Sequence, residues 1–315
     1  MLDGSTAGAG ANGLTLSHDG ALYVYALAIG NFSNHGIYIN NDTRAQIYCS
    51  HIGLNAVGDT PAGNGGDGIH LHASGRYLSP YSNNVITANT GSGIFVHNGG
   101  VTDRGSYIGV LADGTTVAGN GGHGIRLEVD DGNYYNARSV NGVIAHNVGD
   151  GISAIGDTSI VTVDYETVIY SNGGLGIDLN DDGVTANDPG DVDVGPSELL
   201  NFPVFTSIVQ NGTDLEVSFE LDVPDSSYYI QLYDNPDGID PSGYGEGQVY
   251  LGGVPVSVSG GILTTPMPVT LANTNPSSLY NVTATISYEG DGIGNTSEFS
   301  GTYDDSCSLV VTTTD

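Results

Sequence analysis

The sequence predicts an all-β protein in two parts. The first is a parallel β-helix of about seven coils over residues 1–180, and the second is a two-sheet sandwich over 203–303. Three observations predict it. A four-residue word, Gly-Ile-x-(Ile/Leu/Val), returns throughout the first 180 residues. An Asn stands four residues before most of those glycines. After residue 200 the word stops and runs of strict apolar/polar alternation replace it.

The word occurs as Gly36-Ile37-Tyr38-Ile39, Gly68-Ile69-His70-Leu71, Gly93-Ile94-Phe95-Val96 and Gly124-Ile125-Arg126-Leu127. Gly151-Ile152-Ser153-Ala154 and Gly176-Ile177-Asp178-Leu179 continue it, and Gly13-Leu14-Thr15-Leu16 is a looser first copy. Successive glycines are 23, 32, 25, 31, 27 and 25 residues apart by subtraction. Two apolar residues flanking a variable one make a short strand with one inward face. The leading Gly suits a corner or a close backbone approach.

Asn64, Asn89, Asn120, Asn147 and Asn172 hold the place four before the Gly, while Asn31 stands five before Gly36. Stacked at one corner, such side chains form an amide ladder. A second apolar pair lies upstream in each coil, as in Val85-Ile86, Val143-Ile144 and Val168-Ile169, with Ile52 and Ile108 in related places. Residues 51–71 and 107–127 match at an offset of 56 and carry an extra excursion containing Asp59 or Asp113. No window has a helical period. Seven coils at a strand spacing of about 4.8 Å give a rod of about 34 Å.

Residues 181–202 lose the apolar pairs and read as an acidic junction loop. Beyond it, Leu215/Val217/Phe219/Leu221, Tyr228/Ile230/Leu232, Val254/Val256/Val258 and Val282/Ala284/Ile286/Tyr288 alternate cleanly. Asn211-Gly212, Asp237-Gly238, Gly260-Gly261 and Asp291-Gly292 supply turns. About seven strands in this span fit a sandwich of immunoglobulin-like size, though without its Cys-Trp-Cys core. Placed against the last coil, it would cover an apolar end that otherwise invites aggregation. Residues 304–315 read as a terminal strand or linker.

The formal net charge is −31, from 36 acids against five Arg and no Lys. That balance excludes nucleic-acid binding and anionic membrane surfaces as functions. No apolar run is long enough to span a bilayer. Met1 leads straight into Leu2-Asp3-Gly4, itself a solenoid turn, with no secretory leader pattern, so the chain reads as a mature form or a piece of something longer. Cys49 shares the parity of Ile47 and is expected inside; Cys307 falls in the terminal segment.

The Asn-x-x-x-Gly-Ile coils resemble the right-handed parallel β-helix repeats of large exported bacterial multi-module proteins, of pectin-lyase-like fold. The stretches 174–179 and 201–204, then Gly243-Tyr244-Gly245-Glu246-Gly247-Gln248 and 294–300, are similar to the segment that follows such helices. The tail from Leu309 is similar to the opening of a next module. The resemblance covers nearly the whole chain. It implies export and surface display, and it carries no catalytic residues with it.

The variable residue of each word and the residue after its second apolar one should face outward. Stacked, they give Tyr38/Asn40, His70/His72, Phe95/His97, Arg126/Glu128, Ser153 and Asp178/Asn180. In pectin-lyase-like enzymes polysaccharide lies on such a face. Tyr38, His70, Phe95, Arg126 and Glu128 are therefore the candidate glycan-binding residues. His70, His72 and His97 form a candidate Zn²⁺ or Ni²⁺ site. Asp178, Asp181, Asp182, Asn187, Asp188, Asp191 and Asp193 form a candidate Ca²⁺ set, although their spacing fits neither an EF-hand nor a nonapeptide roll. A lone Arg–Glu pair is ordinarily a surface ion pair, and no catalytic residue is assigned. The functional expectation is a non-enzymatic extracellular or cell-surface module: an adhesin, sheath or fibre subunit that pairs with itself or other surface proteins, joined head to tail through solenoid ends and the terminal strand. The alternatives are a polysaccharide lyase or hydrolase, and a glycan-binding module.

Overall fold

The computed structural model describes residues 1–303 except 19, 41–42, 165, 265–268 and 289–293. The expected terminal strand, Cys307 and the Asp291-Gly292 turn lie outside the described residues. Among the described residues the regular structure is nearly all strand, with two short 3-10 turns at Pro196–Leu199 and Leu279–Asn281.

Residues 1–180 build large parallel sheets in a solenoid-like stack. The repeated words supply one row: Leu14–Leu16, Ile37–Asn40, Ile69–Pro80, Ile94–Arg104, Ile125–Glu128, Ile152–Ile155 and Ile177–Leu179, each paired in parallel with the next. The upstream pairs supply a second sheet, from Leu2–Asp3 through Ala28–Gly30, His51–Ile52, Val85–Ile86, Tyr107–Ile108 and Val143–Ala145 to Val168–Tyr170. A third run passes through Gly20–Tyr25 and Thr43–Tyr48, the later halves of the two long strands, Tyr135–Val140 and Ser159–Val163.

The register places Ile37, Ile69, Ile94, Ile125, Ile152 and Ile177 directly over one another, all essentially sealed from water. Ile29, Ile52, Ile86, Ile108, Ile144 and Ile169 face them from the second sheet, inside one continuous core. Each such side chain contributes about 1.5–3 kcal/mol by leaving water. The glycines are needed for close approach. A Cβ on Gly124 would lie 2.4 Å from Ile144 Cγ2 and 2.6 Å from the Gly151 carbonyl.

The expected amide ladder is present. Asn64 Nδ2 donates to Asn89 Oδ1 at 2.8 Å, Asn89 to Asn120 at 3.0 Å, Asn120 to Asn147 at 2.9 Å and Asn147 to Asn172 at 3.0 Å. Each Oδ1 also accepts the backbone N–H of the preceding rung. Below Asn64 the place is held by Phe32, whose N–H donates to Asn64 Oδ1 at 3.2 Å. Asn31, one residue off register, is exposed and bonds to Asp3.

Cys49 is a correction: it is exposed. Its φ of 47° turns the chain out of the strand, and that corner breaks the alternation inherited from Ile47.

Residues 204–288 form two antiparallel sheets around a separate core. One joins Val204–Asn211, Asp214–Asp222, Ile262–Thr264 and Val269–Leu271; the other joins Ser227–Asp234, Val249–Ser257 and Val282–Tyr288. Val217, Phe219 and Leu221 from the first meet Tyr228, Ile230, Ala284 and Ile286 from the second.

This second unit closes the last coil, as the sequence suggested. Gly247 and Ile169 exchange backbone hydrogen bonds at 2.6 and 2.9 Å, and Thr296 N–H donates to Val161 O at 2.8 Å. Gln231 Nε2 donates to Val163 O at 2.8 Å. Phe299 and Tyr233 cross into the solenoid core. Glu246 sits where a sixth ladder Asn would stand. Its Oε1 accepts the Asn172 N–H at 2.9 Å and Asn172 Nδ2 at 3.3 Å, and its Oε2 accepts the Ser171 N–H. Glu298 takes the Leu179 and Thr185 N–H groups, each at 2.9 Å. Burial pushes Glu246 up to about 7 and Glu298 up to about 8, against the downward pull of those donors.

Candidate functional site

The word-bearing strands line up the expected column in register: Tyr38, His70, Phe95, Arg126, Ser153, Asp178. Beside it run Asn40, His72, His97 and Glu128, then Ile155. The five candidate glycan residues are contiguous. Tyr38 and His70 have ring centroids 5.3 Å apart, His70 and Phe95 4.8 Å, and Arg126 lies 5.8 Å over the Phe95 ring. Arg126 also pairs with Glu128 at 2.6 Å and Asp181 at 3.5 Å.

The upper end of the column differs from expectation. Ser153 and Asp178 are buried rather than outward-facing. The turn after Leu179, with positive φ at Asn180, Asp181 and Gly183, folds back over this face. Asp178 accepts the N–H groups of Asp182 and Gly183 at 3.1 and 3.0 Å. Burial, then the nearby Asp150 charge, raises it to about 6.

A third column escaped the sequence reading. The residue immediately before each Gly is Asn12, His35, Asp67, Ser92, His123, Asp150 and then Leu175. The first six accept, on their side chains, the N–H of the next one up: His35 to Asn12 at 3.1 Å, Asp67 to His35 at 3.0 Å and Ser92 to Asp67 at 2.8 Å. His123 to Ser92 at 3.2 Å, Asp150 to His123 at 3.1 Å and Leu175 to Asp150 at 2.8 Å complete it. The available signal was a polar residue at every Gly−1 position up to Asp150.

This column redistributes the histidines, so the candidate set His70, His72 and His97 is not one site. His70 turns to Asp67, its Nδ1 2.8 Å from Oδ2, and His35 Nδ1 lies 3.3 Å from the same oxygen. His72 and His97 pair with each other, Nδ1 to Nδ1 at 2.9 Å, with Asp130 3.3 Å from His97 Nε2. Burial and then the His97 charge lower the His72 pKa. Neighbouring residues i and i+2 share a face, but the Asp at Gly−1 draws His70 sideways. Higher up, His123 lies 2.9 Å from Asp150 and 3.7 Å from Asp181.

The candidate Ca²⁺ set also divides. Asp178 and Asp182 belong to the turn, and Asp181 faces His123 and Arg126. Asn187 is tied to the Phe202 backbone by both its amide atoms. Asp188, Asp191 and Asp193 do converge, with carboxylate oxygens within 4.8 Å of one another. Burial raises Asp191 to about 7 and also raises Asp193. Hard oxygen donors of this kind suit Ca²⁺.

The clefts lined by Tyr170, Asp237 and Glu246, and by Phe202, Phe205, Tyr244 and Tyr303, lie away from the histidine column. Among the described residues no helix is long and apolar enough to cross a membrane. Comparison of the chain with protein-family models, with curated proteins and with solved structures found no match.

Proposed function

We propose that the protein is a non-enzymatic extracellular or cell-surface structural module. In this reading the stack is a right-handed parallel β-helix of pectin-lyase-like kind, and the second unit is an immunoglobulin-like sandwich. The observation that carries it is the seam: Glu246 and Glu298 satisfy the last coil's backbone and ladder donors. A stack terminated this way is suited to bearing load or display. Its acidic surface suits solubility and divalent cations. Ca²⁺ at Asp188, Asp191 and Asp193 is part of the proposal.

Self-association remains within it, with one refinement. The last coil is occupied, so a second copy would meet the first coil, whose Leu2, Leu14 and Leu22 are half-buried at the stack's other end. Electron microscopy of native material, with light scattering of the purified chain, tests this. Monodisperse single particles under all conditions would remove the fibre version.

Catalysis is disfavoured by how the acids are used. Asp178 and Asp150 are close enough to influence each other, but both accept backbone N–H groups and are covered. A hydrolase needs two carboxyl groups open to substrate. A second reading, glycan binding, is favoured by the unbroken Tyr38–His70–Phe95–Arg126 surface. A sugar array with Phe95→Ala as control tests it, and product formation from acidic glycans with and without Ca²⁺ tests the enzyme alternative.

A further inference from the structure

We infer that His35, Asp67 and His70 form a binding site for a divalent transition-metal ion of the Zn²⁺ class, distinct from the acidic junction. Three donor atoms from three residues lie within 4.8 Å of one another on the outward face. Asp67 Oδ2 is 2.8 Å from His70 Nδ1 and 3.3 Å from His35 Nδ1. Donors bonded to one ion at about 2.0–2.2 Å stand roughly this far apart. Two imidazoles and one carboxylate are a three-ligand set with an open fourth position.

Charge supports the assignment. Asp67 offers a carboxylate whose side chain is mostly covered, 13% exposed. Among the described side chains its ion-pair partners are these two histidines alone. Arg126 is spent on Glu128 and Asp181. A bound dication would set a positive charge directly against that carboxylate. The outer shell is in place as well: the Ser92 N–H holds Asp67 Oδ1 at 2.8 Å, leaving Oδ2 for the ion. Nitrogen donors select Zn²⁺, Ni²⁺ or Cu²⁺ over Ca²⁺.

His35 Nδ1 accepts the Asp67 N–H at 3.0 Å. Loading exchanges that bond for a metal bond, so the expected Kd is about 1 µM rather than nanomolar. The test is titration calorimetry of the chelator-stripped full chain with ZnCl₂, alongside visible absorption of Co²⁺. One ion per chain is expected. Asp67→Asn and His70→Ala should each weaken binding by more than about 100-fold, beyond the effect of losing an outer-shell partner. His97→Ala and His123→Ala should leave the affinity within about threefold, far below a ligand's contribution. Thermal melts of every variant separate ligand loss from unfolding, and Asp67→Asn keeps the shape and the Ser92 acceptor. Binding no tighter than about 1 mM, full binding by Asp67→Asn, or equal loss in His97→Ala would overturn the assignment.

Discussion

The Asn ladder makes the sharpest demand on the physics. Asn120 is fully buried in its middle. Its Oδ1 accepts the Asn89 N–H at 3.1 Å and Asn89 Nδ2 at 3.0 Å, and its Nδ2 donates to Ile86 O at 3.0 Å and Asn147 Oδ1 at 2.9 Å. In Asn120→Ala the two acceptors keep other donors, because Gly109 N–H still reaches Ile86 O and the residue 120 N–H still reaches Asn147 Oδ1. The Asn89 N–H loses its partner, whereas Asn89 Nδ2 keeps the Thr87 and Ile52 carbonyls at 3.1 and 3.3 Å. An orphaned buried donor costs about 1–3 kcal/mol, so the expected loss is about 2–4 kcal/mol once the missing side-chain volume is added. Urea melts followed by circular dichroism measure it. Asn133→Ala, on an exposed turn, serves as control and should stay within about 0.5 kcal/mol of the parent. Amide exchange should quicken first at Asn89. A loss below about 1 kcal/mol, or one equal to the control, would refute the view that these amides hold the coils together.

Three further outcomes follow from the structure. Glu246 at about 7 and Glu298 at about 8, against an ordinary 4.5, keep protons in the folded state that the unfolded chain has already released. Their stabilising contribution is therefore complete below about pH 4.5 and lost as pH rises through 7 and 8, by about 3 kcal/mol for Glu246. The melting temperature should fall over that window, with a shallower slope in Glu246→Gln; a flat or rising profile would contradict this. Gly124→Ala forces a methyl group against Ile144 and the Gly151 carbonyl and should cost about 1–3 kcal/mol by chemical denaturation. Exposed Cys49 should react with a thiol reagent in the native protein, whereas protection until unfolding would restore the buried reading.

Much of the solenoid could be read directly because its signal is local and repeated. Ile69, Ile94 and Ile125 announce the core through the same word, and Asn89 and Asn120 announce the ladder through one offset. His35, Asp67, His123 and Asp150 were overlooked because the word was read forward from its Gly, although their polarity at Gly−1 is as regular. Cys49 was misplaced because alternation assumes a continuous strand, and a positive φ interrupts it. Glu246 and Glu298 fall in the stretches 243–248 and 294–300 that carry the resemblance, but nothing local to either marks its bonds to the last coil. Their partners lie 74 and 119 residues away, and an acid in so acidic a chain reads as surface. The seven-residue junction set divides for a related reason: Asp178 accepts backbone N–H groups and Asn187 bonds the Phe202 main chain, while Asp188, Asp191 and Asp193 stay together.

The glutamate that stands in for a sixth rung also says something about how such chains can change in length. Asn147 offers the same N–H and amide pair that Asn172 offers to Glu246. Excising residues 148–172 would bring an equivalent edge to the same terminating side chain, and duplicating them would move that edge outward by one storey. The number of storeys and the roof are therefore separable inheritances, so the rod can be lengthened or shortened without inventing a new way to finish it.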